Sequence, residues 1–135
     1  MAKIFFRSTA AALLVIAAAH GAEAGPKKAN ILASWYGPGF EGKRMANGEI
    51  FSPDNPSCAA HPFLPFYSQL RITNLKNGRS IYVRVCDRGP YRSDKKPVVI
   101  DLSHAAAILL DFEKTGLARV DMVLSWHPGI TPHFD

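Results

Sequence analysis

A chain of 135 residues, 47% hydrophobic and 20% charged, holds apolar material for one core and leaves no room for a second domain of ordinary size. Its formal charge of +5 suits an acidic polymer, yet no basic run exceeds two residues and no nucleic-acid-binding signature occurs. Cell-wall glycan and anionic lipid head groups therefore rank above nucleic acid as partners.

Residues 1–24 read as a secretory signal. Lys3 and Arg7 supply the positive end, residues 10–19 an apolar run, and Ala22-Glu23-Ala24 a small-residue cleavage site. Loss of these two cations and one anion takes the charge from +5 to +4. Cleavage near Ala24 places the protein in the periplasm or outside the cell, and no later stretch has the roughly twenty apolar residues a membrane span requires. The expected organisation is a leader over 25–30, a globular domain over 31–126 and a loose tail over 127–135, with His127 and His133 in the tail lacking any standard zinc spacing.

The first predicted strand is 31–36, closed by Gly37-Pro38-Gly39. A polar loop follows with a turn at Asn47-Gly48, after which residues 49–51 can re-enter a sheet. Pro53 and Pro56 forbid a central strand until 58–61. Leu70 and Ile72 mark the next strand, and the Lys76-Asn77-Gly78-Arg79 turn predicts a hairpin into 81–87. Val98 to Leu102 reads as a buried strand, Ser103 as an N-cap, 104–112 as a short helix and 120–126 as the last strand. Five or six short strands with one helix before the last predict a small β-barrel or roll, whose closure removes exposed sheet edges.

Chemistry concentrates at the turns. Ile81, Val83 and Val85 alternate with Tyr82, Arg84 and Cys86, and by parity Asp87 joins the core-facing set at the strand end. Desolvation there would raise its pKa and suit it to general acid or base work; the alternative is an Asp87 that caps the turn or pairs with Arg88. Glu49 follows Asn47-Gly48 and His61 follows Cys58-Ala59-Ala60, so a barrel that gathers its loops on one side can bring two carboxylates and an imidazole together. Paired carboxylates push their pKa values apart, as cleavage of a glycosidic bond requires. Cys58 and Cys86, an even pair in an oxidising compartment, are expected to form a disulfide closing a loop of about 28 residues.

These stations in order, Ala33-Ser34-Trp35-Tyr36-Gly37-Pro38-Gly39-Phe40, Met45-Ala46-Asn47-Gly48-Glu49, Ala59-Ala60-His61, Leu64-Pro65, Val83-Arg84, Asp87-Arg88-Gly89-Pro90 and Ile100-Asp101-Leu102-Ser103, resemble the rare lipoprotein A family of bacterial cell-wall proteins. The resemblance runs from Ala33 to about Trp126. It implies a mainly β fold, a six-stranded double-psi β-barrel with one short inserted helix. It implies cleavage of peptidoglycan glycan strands between N-acetylmuramic acid and N-acetylglucosamine without water, leaving 1,6-anhydro ends. Asp87 would move the proton, with Glu49 and His61 orienting substrate and stabilising positive charge. Trp35, Tyr36, Arg88 and Tyr91 are the expected substrate contacts. No cofactor, metal or partner chain is called for, and a monomer is expected. Residues 1–24 hold no cysteine, so the lipid anchor after which the family is named is not expected here. The competing reading is a barrel that grips wall glycan without cutting it, as expansin-like relatives do.

Overall fold

The computed structural model describes residues 29–91 and 98–129. The expected signal over 1–24, the lysine-bearing loop over 92–97 and the tail beyond 129, with His133, lie outside them. Six strands and one helix follow in the order β1 (Ile31–Trp35), β2 (Cys58–Ala60), β3 (Gln69–Asn74), β4 (Ser80–Asp87), β5 (Val98–Leu102), α1 (His104–Leu109) and β6 (Leu117–Trp126). The sheet closes on itself as β1-β5-β2-β4-β3-β6, a mainly β barrel with one inserted helix.

Two pairings in the closed sheet are parallel, β1 with β5 and β2 with β4, and the others are antiparallel. Among the described residues only β3 and β4 are joined by a hairpin. Its turn works because Gly78, at φ +75, adopts the left-handed backbone that closes the loop onto the Asn74 carbonyl at 2.8 Å. β6 begins three residues earlier than its apolar pattern predicts, since Leu117 to Val120 pair with β1 before the rest of the strand pairs with β3. The helix is shorter than predicted. Ser103 caps it, Oγ accepting from the Ala106 N–H at 3.1 Å, and Asp111 at φ +60 ends the helical path before Phe112.

Strand alternation fills the barrel. Ala33, Ala59, Leu70, Ile72, Val83, Val85, Ile100, Leu102 and Val120 point inward, and Ala106, Ala107, Leu110 and Phe112 close one side. Each fully buried Leu or Ile of this set contributes roughly 1.5–3 kcal/mol relative to exposure. A second, smaller cluster of Tyr36, Met45, Phe51, Cys58, Ala60 and Cys86 forms on the other face of the same strands. It fastens residues 37–52 onto the outside of the barrel. Residues 49–51 do not enter the main sheet: their part is a single bridge, Arg44 to Ile50, so this arm folds back on itself around Gly48 at φ +93.

Candidate active site

The chemistry gathers where the arm meets the ends of β4 and β5. Parity along β4 predicts an inward Asp87, and the register corrects that. Ala59 pairs with Val85 and Ala60 with Asp87, leaving Cys86 as an extra residue without a partner on β2. The irregularity turns Asp87 to the outer face. There its Oδ2 accepts the Tyr36 hydroxyl at 2.7 Å, while Oδ1 accepts the backbone N–H of Ala46 at 2.9 Å and of Arg88 at 2.8 Å. Tyr36 is buried and its ring packs against Phe40 and Phe51. Burial and the bond to Asp87 raise its phenol pKa, so Tyr36 stays a hydrogen-bond donor at any working pH.

Glu49 reaches the same place from the arm. Its carboxylate takes both guanidinium nitrogens of Arg84, at 2.8 and 3.0 Å, and the Asn47 amide at 2.5 Å. The Arg84 bond, with that of Asn47, lowers its pKa to about 2. Glu49 is thus a fixed anion and no proton donor near neutral pH. The arm ties it to Asp87, since Ala46 donates to Asp87 and Asn47 N–H donates to the Cys86 carbonyl at 3.1 Å.

His61 stands one residue past Ala60, its N–H 3.2 Å from the Asp87 carbonyl. Its ring is buried, with Nδ1 accepting from the backbone of Phe63 and Leu64 at 3.3 and 3.1 Å. Desolvation, then the charge of Arg88, lowers its pKa, so the ring is neutral at pH 7 and its proton sits on Nε2. Arg88 clamps the same loop, donating to the carbonyls of His61 and Leu64 and lying 3.9 Å over the Phe66 ring. Both residues shape the loop beside Asp87.

One acid escaped the reading from sequence. Asp101, in the middle of β5, pairs across β2 with Ala60, the residue that Asp87 pairs with on the other side. Two strand spacings, roughly 10 Å at the backbone, separate the acids, and Tyr36, bonded to Asp87, feels the charge of both. Desolvation, and further the charge of Asp87, raises the Asp101 pKa to about 6 against the hydrogen bond from Ser34 at 3.0 Å. The two carboxyls whose charges oppose each other are therefore Asp87 and Asp101, and Glu49 is held apart by Arg84. A polar residue inside an apolar strand, as in Val98-Val99-Ile100-Asp101-Leu102, was the signal available.

Among the expected substrate contacts, Trp35 stacks on His104 at 4.7 Å and donates its indole N–H to the Glu113 carbonyl at 3.2 Å. With Tyr36, Pro38, Glu41 and Phe51 it lines a cavity of about 280 Å³. Tyr91 is 81% exposed. Cys58 and Cys86 are buried thiols facing each other at 2.8 Å beneath Glu49, and their coupling raises the Cys86 pKa and lowers that of Cys58. The Glu49 carboxylate and these two sulfurs lie within 4.8 Å of one another, a donor set for a thiophilic cation. Arg84 already occupies both oxygens of that carboxylate.

Comparison with known proteins bears on the family and the fold. A family described as "Lytic transglycolase" matches residues 28–122. The "Endolytic peptidoglycan transglycosylase RlpA" of Pseudomonas aeruginosa is 53% identical over 88 residues, 65% of this chain and 25% of that protein. The protein of the same name from Campylobacter jejuni is 47% identical over 89 residues, 66% of this chain and 31% of its own length. The chain thus spans about a quarter to a third of these relatives. Among solved structures, the Streptomyces papain inhibitor shares the fold at a TM-score of 0.54 and 21% identity, covering 72% of this chain and 94% of the inhibitor. With the closed six-stranded barrel and the stations from Ala33 to Leu102 in place, the chain belongs to the lytic transglycosylase family, in its double-psi β-barrel form.

Proposed function

We propose that this domain cleaves peptidoglycan glycan strands between N-acetylmuramic acid and N-acetylglucosamine by transglycosylation within the substrate. The bond from C1 of the muramic ring to the glycosidic oxygen breaks, and C1 is taken by the ring's own 6-hydroxyl, leaving a 1,6-anhydro end. No water is consumed. Asp87 protonates the departing oxygen and recovers a proton from the 6-hydroxyl, so one carboxyl serves both steps. The observation that carries the reading is the carboxyl group of Asp87, held on the outer barrel face by Tyr36, Ala46 and Arg88 with a second carboxyl across Ala60. Asp101, still protonated in mildly acid solution, limits the negative charge around Asp87. Glu49, a permanent anion, faces the positive charge that grows on the sugar ring. His61 and Arg88 hold the neighbouring loop, and Trp35 and Tyr91 meet sugar faces.

Digestion of purified glycan strands, with mass analysis for anhydro-muramic ends, tests the reaction. The Asp87→Asn variant keeps the hydrogen-bonding shape, since its carbonyl accepts the two backbone N–H groups and its amide can donate to the Tyr36 oxygen. Its turnover is expected to fall at least about a hundredfold. Wild-type turnover in that variant would remove Asp87 from the chemistry. Glycan binding without anhydro ends in the wild-type protein would make the domain an expansin-like binding module.

The same reading has residues 1–24 direct export and the mature domain act as a monomer at the cell wall without cofactor. It also has Cys58 and Cys86 joined in a disulfide, supported by their facing positions on β2 and β4 and by the export signal. Thiol titration under denaturing, non-reducing conditions is expected to find no free thiol; two reactive thiols per chain would refute the bond.

A further inference from the structure

The outer face of the barrel continues past Glu49 and Arg84. Arg84 holds Glu49 with both guanidinium nitrogens and lies 5.8 Å from the centre of the Tyr67 ring. On β4, Tyr82 projects from the same face two residues away, roughly 7 Å along the strand. Both rings are open: Tyr67 is 48% and Tyr82 63% exposed. Across the sheet Arg84 pairs with Gln69 and Tyr82 with Arg71. A hollow of about 240 Å³ lies here, lined by Ser57, Gln69, Tyr82, Val83 and Arg84.

A single exposed tyrosine on a strand needs no explanation. Tyr67 is different because its backbone sits at φ +68, a left-handed region that bulky side chains rarely enter. That conformation is held by its N–H on the Val85 carbonyl at 2.8 Å, and it aims the ring over Arg84 instead of into the core. Flat aromatic faces beside a guanidinium and a side-chain amide match a pyranose ring, which offers a C–H face to stack and hydroxyls to bond around its rim.

We propose that Tyr67, Tyr82, Arg84 and Gln69 form a sugar-binding subsite on the outer face of β3 and β4, occupied by a pyranose of the glycan strand being cut. The assignment rests on the glycan reading above. Its physical basis is continuity: Arg84 is shared by the subsite and by Glu49, so a strand lying across Asp87 and Glu49 runs onto this face without a break. The subsite makes the enzyme prefer long strands to short ones.

The test uses Tyr82→Ser, Tyr82→Phe and Tyr67→Gly, the last keeping a backbone that glycine adopts freely. With a stack worth about 0.5–1.5 kcal/mol, the long-over-short ratio of kcat/KM is expected to fall about two- to twelvefold in Tyr82→Ser and in Tyr67→Gly, mainly through KM. Tyr82→Phe, which keeps the ring, should retain the ratio. Binding to insoluble glycan is measured in the Asp87→Asn background, so the subsite is tested even if the wild-type protein cuts nothing. Equal binding and an unchanged ratio in Tyr82→Ser and Tyr67→Gly would overturn the proposal, as would a loss in Tyr82→Phe equal to that in Tyr82→Ser.

Discussion

Asp101 shows how one carboxyl links chemistry to stability. Its pKa rises from 3.8 to about 6 on folding, so between those values the native state binds more protons than the unfolded chain. Stability therefore falls as pH rises through that window, by about 3 kcal/mol if the whole shift is realised. Asp101→Asn removes the cost while still accepting from Ser34. The variant is expected to match the wild type near pH 3.5 and to exceed it by up to about 3 kcal/mol at pH 7, measured by urea unfolding at both values. An unchanged difference between the two would mean that Asp101 titrates in the folded protein as in the unfolded chain. Glu49 works in the opposite sense: with its pKa lowered to about 2, what it contributes is present above its ordinary pKa of 4.5 and lost as acid approaches 2. Turn chemistry made Glu49, His61 and Asp87 legible in the sequence. Asp101 showed only as a polar break in an apolar strand; its environment was not legible, because it comes from Ser34 and Ala60, 67 residues upstream on β1 and across the sheet on β2. Nor was the use of Tyr36, whose partner lies 51 positions away.

Among the elements, the hairpin, the order of the strands and the helix's N-cap followed from local rules, since periodicity and turn residues act within a few positions. What local rules could not give was the outward face of Asp87, which depends on one unpaired residue in the register of β4 against β2. Alternation counts residues in one strand, and a bulge is defined by two. Immediately after it, Gly89 sits at φ +107 with no atom closer than 3.8 Å to where a Cβ would stand. Space is available there, and conformation alone resists a side chain. Gly89→Ala is expected to cost about 1–2 kcal/mol in thermal or urea unfolding and to lower turnover, because the strained turn follows directly on Asp87. A neutral effect on both would show that the chain relaxes there without disturbing the acid.

At the scale of the whole molecule, the barrel's strand order has a consequence in time. β1 pairs only with β5 and β6, and β2 only with β4 and β5. Until residues past 97 are available, the first strand has no neighbour among the described residues, and the pairings open to the earlier described chain are β3 with β4 and β2 with β4. Such distant pairings must bear the entropy of closing long loops before any contact rewards them, which slows folding. A fragment ending at residue 97 is expected to show no cooperative unfolding transition by circular dichroism, whereas the chain through 129 should show a single one; a cooperative transition in the shorter fragment would contradict this. The polypeptide therefore travels most of its length as an open chain, and the carboxyls of Asp87 and Asp101 first meet when nearly all of it has been delivered. Until that moment the two acids lie far apart on an unclosed sheet, and the candidate site exists only as sequence.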